Sequence, residues 1–267
     1  MKISGKTFVV TGAGNGIGRA ITLTLLNQGA RVAAVDLNED YLNETKKLSG
    51  KHSDKISLHV LNITDQEALA ELPNQVEKAH HHVDAIINNA GIIQPFVKIE
   101  DLEMEDIDRV MNVNFYGTLY MIKAFLPFLK ERPQAHIANV SSMGGFLPVP
   151  GQSIYGASKA AVKLMTEALY AELRNTNVGV SIIFPGATET KISEHSGIKM
   201  DTENTDARGI KMNSPLKAAE EIVKGISKNK FRILLGSDSK TMDLLYRIAP
   251  KYATNLIAKK MGNLLKD

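Results

Sequence analysis

Short runs of apolar and β-branched residues alternate along the chain with longer stretches whose apolar positions recur at helical spacing. Thr7–Thr11 reads as a strand, followed by a glycine turn and a helix to about Gln28, closed by Gly29. Further strands are predicted at Arg31–Asp36, Ile56–Leu61, Ala85–Asn88, His136–Val140, Val178–Phe184 and Phe231–Leu235. Between them, helices are predicted at about Asn38–Leu48, Asp65–Ala79, Met104–Lys130, Ser153–Asn175 and Pro215–Lys228. Such alternation favours an α/β fold with about seven strands in one parallel sheet, right-handed crossovers and helices on both faces. The alternation lapses over Pro185–Ser214, a polar stretch longer than an ordinary loop, which reads as a lid at about 186–214. Residues 1–240 form one domain on this reading, and 241–267 a C-terminal amphipathic helical extension.

Composition narrows the function classes. Apolar residues make up 43% of 267, enough for a sizeable core. A net charge of +3 is too balanced for a nucleic-acid partner. The chain has no cysteine, which excludes disulfides, thiolate catalysis and zinc–thiolate sites. Neither a secretory pattern nor an apolar run of spanning length is present, and a cytoplasmic protein is expected.

The turn after the first strand reads Thr11-Gly12-Ala13-Gly14-Asn15-Gly16-Ile17-Gly18. Gly12 suits a tight turn, Gly16 a close approach of backbone to a pyrophosphate, and Gly18 close packing of helix on sheet. The helix N-terminus adds free N–H groups and a partial positive charge, so this strand–turn–helix points to a dinucleotide in a Rossmann-type, doubly wound sheet. Asp36 ends the second strand at the usual spacing for an acid on the adenosine ribose. A carboxylate there repels a 2′-phosphate. With Asn at position 15 and no basic residue at Leu37 or Asn38, NAD is favoured over NADP.

The TGxxxGIG form of this turn resembles the short-chain dehydrogenase/reductase family. Later motifs match in order: Asn88-Asn89-Ala90-Gly91, Asn114 within Asn112-Val113-Asn114, Ser142 after Asn139-Val140-Ser141, Tyr155-Gly156-Ala157-Ser158-Lys159, and Pro185-Gly186 with Thr188 and Thr190. The resemblance covers roughly residues 1–235. It implies an NAD(P)-dependent oxidoreductase acting on an alcohol or carbonyl. Asn114, Ser142, Tyr155 and Lys159 would be catalytic, with Tyr155 and Lys159 also at the cofactor. Asn114 would position a relay water, and Lys159 would bond the nicotinamide ribose. Cofactor contacts would come from Gly12, Gly14, Asn15, Gly16, Ile17, Gly18 and Asp36, from Asn62 and Ile63 near adenine, from Asn88, Ala90 and Gly91, and from Pro185, Gly186, Thr188 and Thr190. Many members carry Asp where this chain has Asn62, whose carbonyl can still accept from an amino group. A homodimer or homotetramer built through the long helices is also implied.

Tyr155 and Lys159 are four apart near a helix start and share one face. A nearby ammonium would favour the phenolate, making Tyr155 a general base for oxidation or acid for reduction. Ser142 would hold the substrate oxygen. It is preferred to Ser141 because its separation from Tyr155 resembles the family's, and Ser141 is expected to be structural. No metal site is expected: His80-His81-His82 diverge in direction and read as a solvated helix end. The basic, amphipathic stretch 241–265, with a break expected at Pro250, suits packing on its own domain or subunit partner. A membrane surface is a less favoured occupant. A lipophilic substrate fits that tail. The competing readings are an NADP-linked carbonyl reductase and, since fold does not give function, a non-catalytic dinucleotide sensor.

Overall fold

The computed structural model of the protein describes residues 1–188, 192–198 and 212–261. Seven strands form one sheet: β1 (Thr7–Thr11), β2 (Arg31–Asp36), β3 (Ile56–Val60), β4 (Ala85–Asn88), β5 (Ala135–Val140), β6 (Val178–Pro185) and β7 (Arg232–Leu235). All pairings are parallel, in the order β3-β2-β1-β4-β5-β6-β7. Successive side chains of a strand face opposite ways, and both faces here are apolar. Phe8 and Val10 pack with α1 (Gly16–Asn27), α2 (Glu39–Leu48) and α8 (Pro215–Ser227). Val9, between them, packs with α3 (Gln66–His80), α5 (Thr118–Lys130) and α6 (Ser153–Glu172). This is the doubly wound architecture predicted from the alternation. Among the described residues no helix is long and apolar enough to cross a membrane, and no cluster of His, Asp or Glu could hold a metal ion.

Three segments depart from the expected pattern. The stretch 104–130 is not one regular helix: α4 (Met104–Met111) passes through a π turn at Asn112–Gly117 before α5 begins. Such turns are frequent at functional sites. Asn114 sits in the turn fully buried, and a Cβ on Gly117 would come within 2.6 Å of Ile63 Cδ1. The tail begins its helix earlier than expected. α9 (Gly236–Ile248) and α10 (Pro250–Met261) meet at the predicted break, and Ala253 and Ile257 pack on Leu147, just beyond Ser142. The histidine run ends α3 as expected, with His81 exposed, but it is not solvated throughout. His80 is buried, its Nε2 lies 2.8 Å from Ser57 Oγ, and burial lowers its pKa to about 4. His81 takes the left-handed conformation (φ 71°) that ends α3, and His82 lies 3.2 Å from Asp84.

Asp84 ties the sheet together at the end opposite the strand C-termini. Its buried carboxylate accepts from Thr7 N (3.0 Å), Lys6 Nζ (2.9 Å) and Arg132 Nε (3.1 Å). Burial pushes its pKa up, but these donors outweigh it and hold the carboxyl below its usual range. A depressed carboxylate pKa stabilises the fold above the unfolded value, and that contribution is lost as pH falls through the folded value. Asp84→Ala is expected to cost about 3 kcal/mol, a midpoint drop of roughly 5–10 °C. In thermal denaturation at several pH values, the gap from wild type should narrow in acid.

Candidate active site

A cleft of about 620 Å³ opens at the C-terminal ends of the strands, where strand order reverses between β1 and β4. That reversal leaves a crevice between oppositely directed crossovers, the usual place for a ligand in such sheets.

Glycine builds the cleft's first wall. Gly12 and Gly16 have φ of +65° and +51°. A Cβ on Gly18 would lie 1.9 Å from the Gly12 carbonyl oxygen, so only glycine lets α1 start this close to the turn. Asn15 precedes α1 without a side-chain cap, leaving the first-turn N–H groups for a ligand. The adjacent Asp36 Oδ2 accepts from Gly14 N at 2.8 Å, and Oδ1 from Asn38 N at 3.1 Å. Arg19 clamps the turn from behind, donating to Gly14 O (2.7 Å) and pairing with Glu44 (2.5 Å). An anion-receptive helix start beside a ribose-sized carboxylate fits a dinucleotide.

The second wall carries the ionisable groups. Ser142 follows β5 with extended backbone, and its Oγ accepts from Gly144 N at 3.0 Å. Tyr155 and Lys159 project from the first turns of α6. Burial pushes the Tyr155 phenol up, and a hydrogen bond with Ser142 opposes this only in part. The expected lowering by a neighbouring ammonium is therefore not what the protein alone provides, because desolvation dominates. Burial also lowers Lys159, to about 8. Its ammonium donates to Val140 O at 3.1 Å. Ser141 Oγ donates to Lys159 O at 2.7 Å, fixing the helix to β5.

Most residues singled out in the sequence line this one cleft: Gly12, Asn15, Gly16 and Ile17 on the turn, Asp36, Asn62 and Ile63 at one end, Ala90 and Gly91 in the middle, and Ser142, Tyr155, Lys159, Pro185, Gly186 and Thr188 at the other. Four lie behind it. Gly14 spends its N–H on Asp36, and Gly18 packs on Gly12. Asn88 is buried and donates to Asn139 Oδ1 at 2.8 Å. Asn114 bonds both backbone groups of Ile92 (2.9 Å each) and donates to Ser158 Oγ (2.9 Å). Thr190 and most of the lid lie outside the described residues. Tyr41, Asn89 and Val113 also line the cleft, and sequence reasoning did not select them. Asn89, within the same motif, donates to Thr11 O through Nδ2 (3.0 Å).

The sequence profile of the short chain dehydrogenase family matches residues 6–201. The oxidoreductase SadH of Mycobacterium tuberculosis is 34% identical over 95% of this chain and 94% of its own. The 3-oxoacyl-[acyl-carrier-protein] reductase FabG of Thermotoga maritima is 35% identical over 73% of this chain and 78% of its own. A short-chain dehydrogenase/reductase of Burkholderia phymatum, solved in complex with NAD, superposes with a TM-score of 0.85 at 25% identity, over 94% of this chain and 96% of that one. The chain belongs to the short-chain dehydrogenase/reductase family, a family of oxidoreductases.

Lys159 is charged at neutral pH in a setting that disfavours charge. Folding therefore carries a penalty below about pH 8 that fades as pH rises toward the unfolded value of 10.5. Lys159→Met is expected to raise stability at pH 7 by roughly 1–3 kcal/mol, with little gain at pH 10. Urea titrations of the two proteins at both pH values check this.

Proposed function

We propose that the protein transfers a hydride between NAD(H) and a secondary alcohol or the matching ketone, with Tyr155 exchanging the substrate proton. The observation that carries this reading is the meeting of Ser142, Tyr155 and Lys159 at one end of a cleft whose other end holds the α1 N-terminus and Asp36. A nicotinamide in the cleft would supply or take the hydride. First-turn N–H groups of α1 would hold the pyrophosphate, Asp36 the adenosine ribose hydroxyls, and Thr190 with its neighbours the carboxamide.

Ser142 Oγ would bond the substrate oxygen as charge develops there. In the ligand-free protein the Tyr155 phenol keeps its proton through neutral pH, ready to protonate a carbonyl oxygen. Running as a base, it must ionise first, so the oxidation rate should climb on the alkaline side. A Cβ on Gly91 would come within 2.9 Å of Lys159 Nζ and 3.1 Å of Asn114 Oδ1, so glycine there leaves both polar groups room. A relay water positioned by Asn114 would carry the proton onward from Lys159. A sensor that performed no chemistry would have no use for an acid–base residue and a hydroxyl sharing one cleft wall. The carbonyl-reducing direction is a second reading, favoured by the name of the Thermotoga maritima relative.

A panel of aliphatic secondary alcohols from 2-propanol to 2-decanol with NAD, and the matching ketones with NADH, reads the activity. Tyr155→Phe is expected to lower kcat by at least about 10³-fold while NADH affinity is kept. Substantial residual turnover would reject Tyr155 as the proton-transfer group. Asp36→Asn keeps an oxygen for Gly14 N but removes the charge. It should move the NAD/NADP ratio of kcat/KM toward NADP by about 10-fold or more. A fixed ratio would remove Asp36 as the selector.

A further inference from the structure

The helix that carries Tyr155 begins without a cap of its own. Gln152 stands at the N-cap position of α6 and makes no side-chain cap bond. The first N–H groups of a helix have no intrahelical acceptor, so those of Ile154 and Tyr155 need one from elsewhere. It comes from Gln94, about 60 residues earlier, in the loop after β4. Gln94 Oε1 accepts from Ile154 N at 2.7 Å and from Tyr155 N at 3.0 Å. Its Nε2 donates to Gly151 O at 3.1 Å, and its backbone oxygen accepts from Gln152 Nε2 at 2.8 Å. The side chain is completely buried and lies outside the cleft lining, so it touches neither end of the ligand site.

The other peptide group of Tyr155 is held as well. Its carbonyl accepts from Ser158 Oγ at 2.7 Å, and Ser158 Oγ accepts from Asn114 Nδ2 at 2.9 Å. Asn114 in turn bonds Ile92, two residues before Gln94. The same loop is fixed at its other end by Thr11 Oγ1, which accepts from Asn89 N and Ala90 N at 3.0 Å each. The loop therefore holds the Tyr155 N–H directly and its carbonyl through Asn114 and Ser158, and is itself tied to the end of β1. The phenol oxygen stands about 6.5 Å from its Cα, so rocking the first turn of α6 by about 10° would displace it by ~1 Å. A displacement of that size costs about 10²-fold in rate.

We propose that Gln94 is a positioning residue for Tyr155, fixing the phenol by capping the helix turn that bears it. This rests on the assignment of Tyr155 as the proton-transfer group. Two variants test it. Gln94→Met keeps the size and removes every polar contact of the side chain, leaving the backbone bond to Gln152. Gln94→Glu keeps an acceptor for the two N–H groups and adds a negative charge near the phenol. With whichever alcohol of the panel turns over, Q94M is expected to lose about 10–100-fold in kcat while NADH affinity stays within about twofold. Q94E should recover much of that loss, with the rising limb of its pH profile displaced to higher pH. A purely structural role would lower the melting temperature in both variants without that ordering or that displacement.

Amide hydrogen exchange reads the clamp without turnover. In Q94M the amides of Ile154 and Tyr155 should exchange about 10-fold faster than in wild type. If no alcohol or ketone reacts with the wild-type protein, the reading under Proposed function falls by itself. The exchange rates then decide whether Gln94 fixes this turn. Unchanged exchange, a wild-type kcat in Q94M, or a Q94E no better than Q94M would overturn the proposal.

Discussion

The contact between Gly18 and the carbonyl of Gly12 is the constraint from which the rest of the site follows. A single methyl group at Gly18 would sit 1.9 Å from that oxygen. Because there is none, α1 starts against the end of β1, with its uncapped N–H groups at the mouth of the crevice. The turn then brings Gly14 N onto Asp36, which joins the end of β2 to the same wall. The sheet supplies the rest of the geometry. Strand order reverses between β1 and β4, so the loops after β4, β5 and β6 line the crevice across from the turn.

Two kinds of polar burial divide the labour in this fold. At the far end of the sheet Asp84 is satisfied by three donors and contributes to stability. At the cleft, Lys159 is buried and Tyr155 half-buried at a cost: one pKa is pushed down and the other up. The protein holds these groups in place through backbone rather than charge. Ser141 grips the carbonyl of Lys159, Gln94 the N–H of Tyr155 and Ser158 its carbonyl. Function carries an electrostatic penalty here, and the hydrogen-bonded frame offsets it.

The sheet was legible in the sequence because its strands are buried on both faces, so apolar runs such as Phe8-Val9-Val10 stand out from the helical period. The glycine turn and Tyr155 with Lys159 were legible because their chemistry is local in sequence. What escaped was nonlocal. Nothing in the sequence near His80 announces its contact with Ser57 of β3 or the burial that holds its ring neutral. The π turn interrupts a helical period that continues across it, and the close approach of Ile63 to Gly117 in it joins distant parts of the chain. Gln94 gave no signal either, since the amides it caps belong to another element.

The account depends on the crevice being a nicotinamide dinucleotide site with Asp36 facing the adenosine ribose. Titration of the purified protein with NADH and with NADPH, followed by nicotinamide fluorescence, measures this directly. Saturable binding of NADH is expected, with NADPH bound at least about tenfold more weakly because its 2′-phosphate would be set against a carboxylate. Equal or tighter binding of NADPH would contradict the role given to Asp36. Binding of neither would contradict the account as a whole.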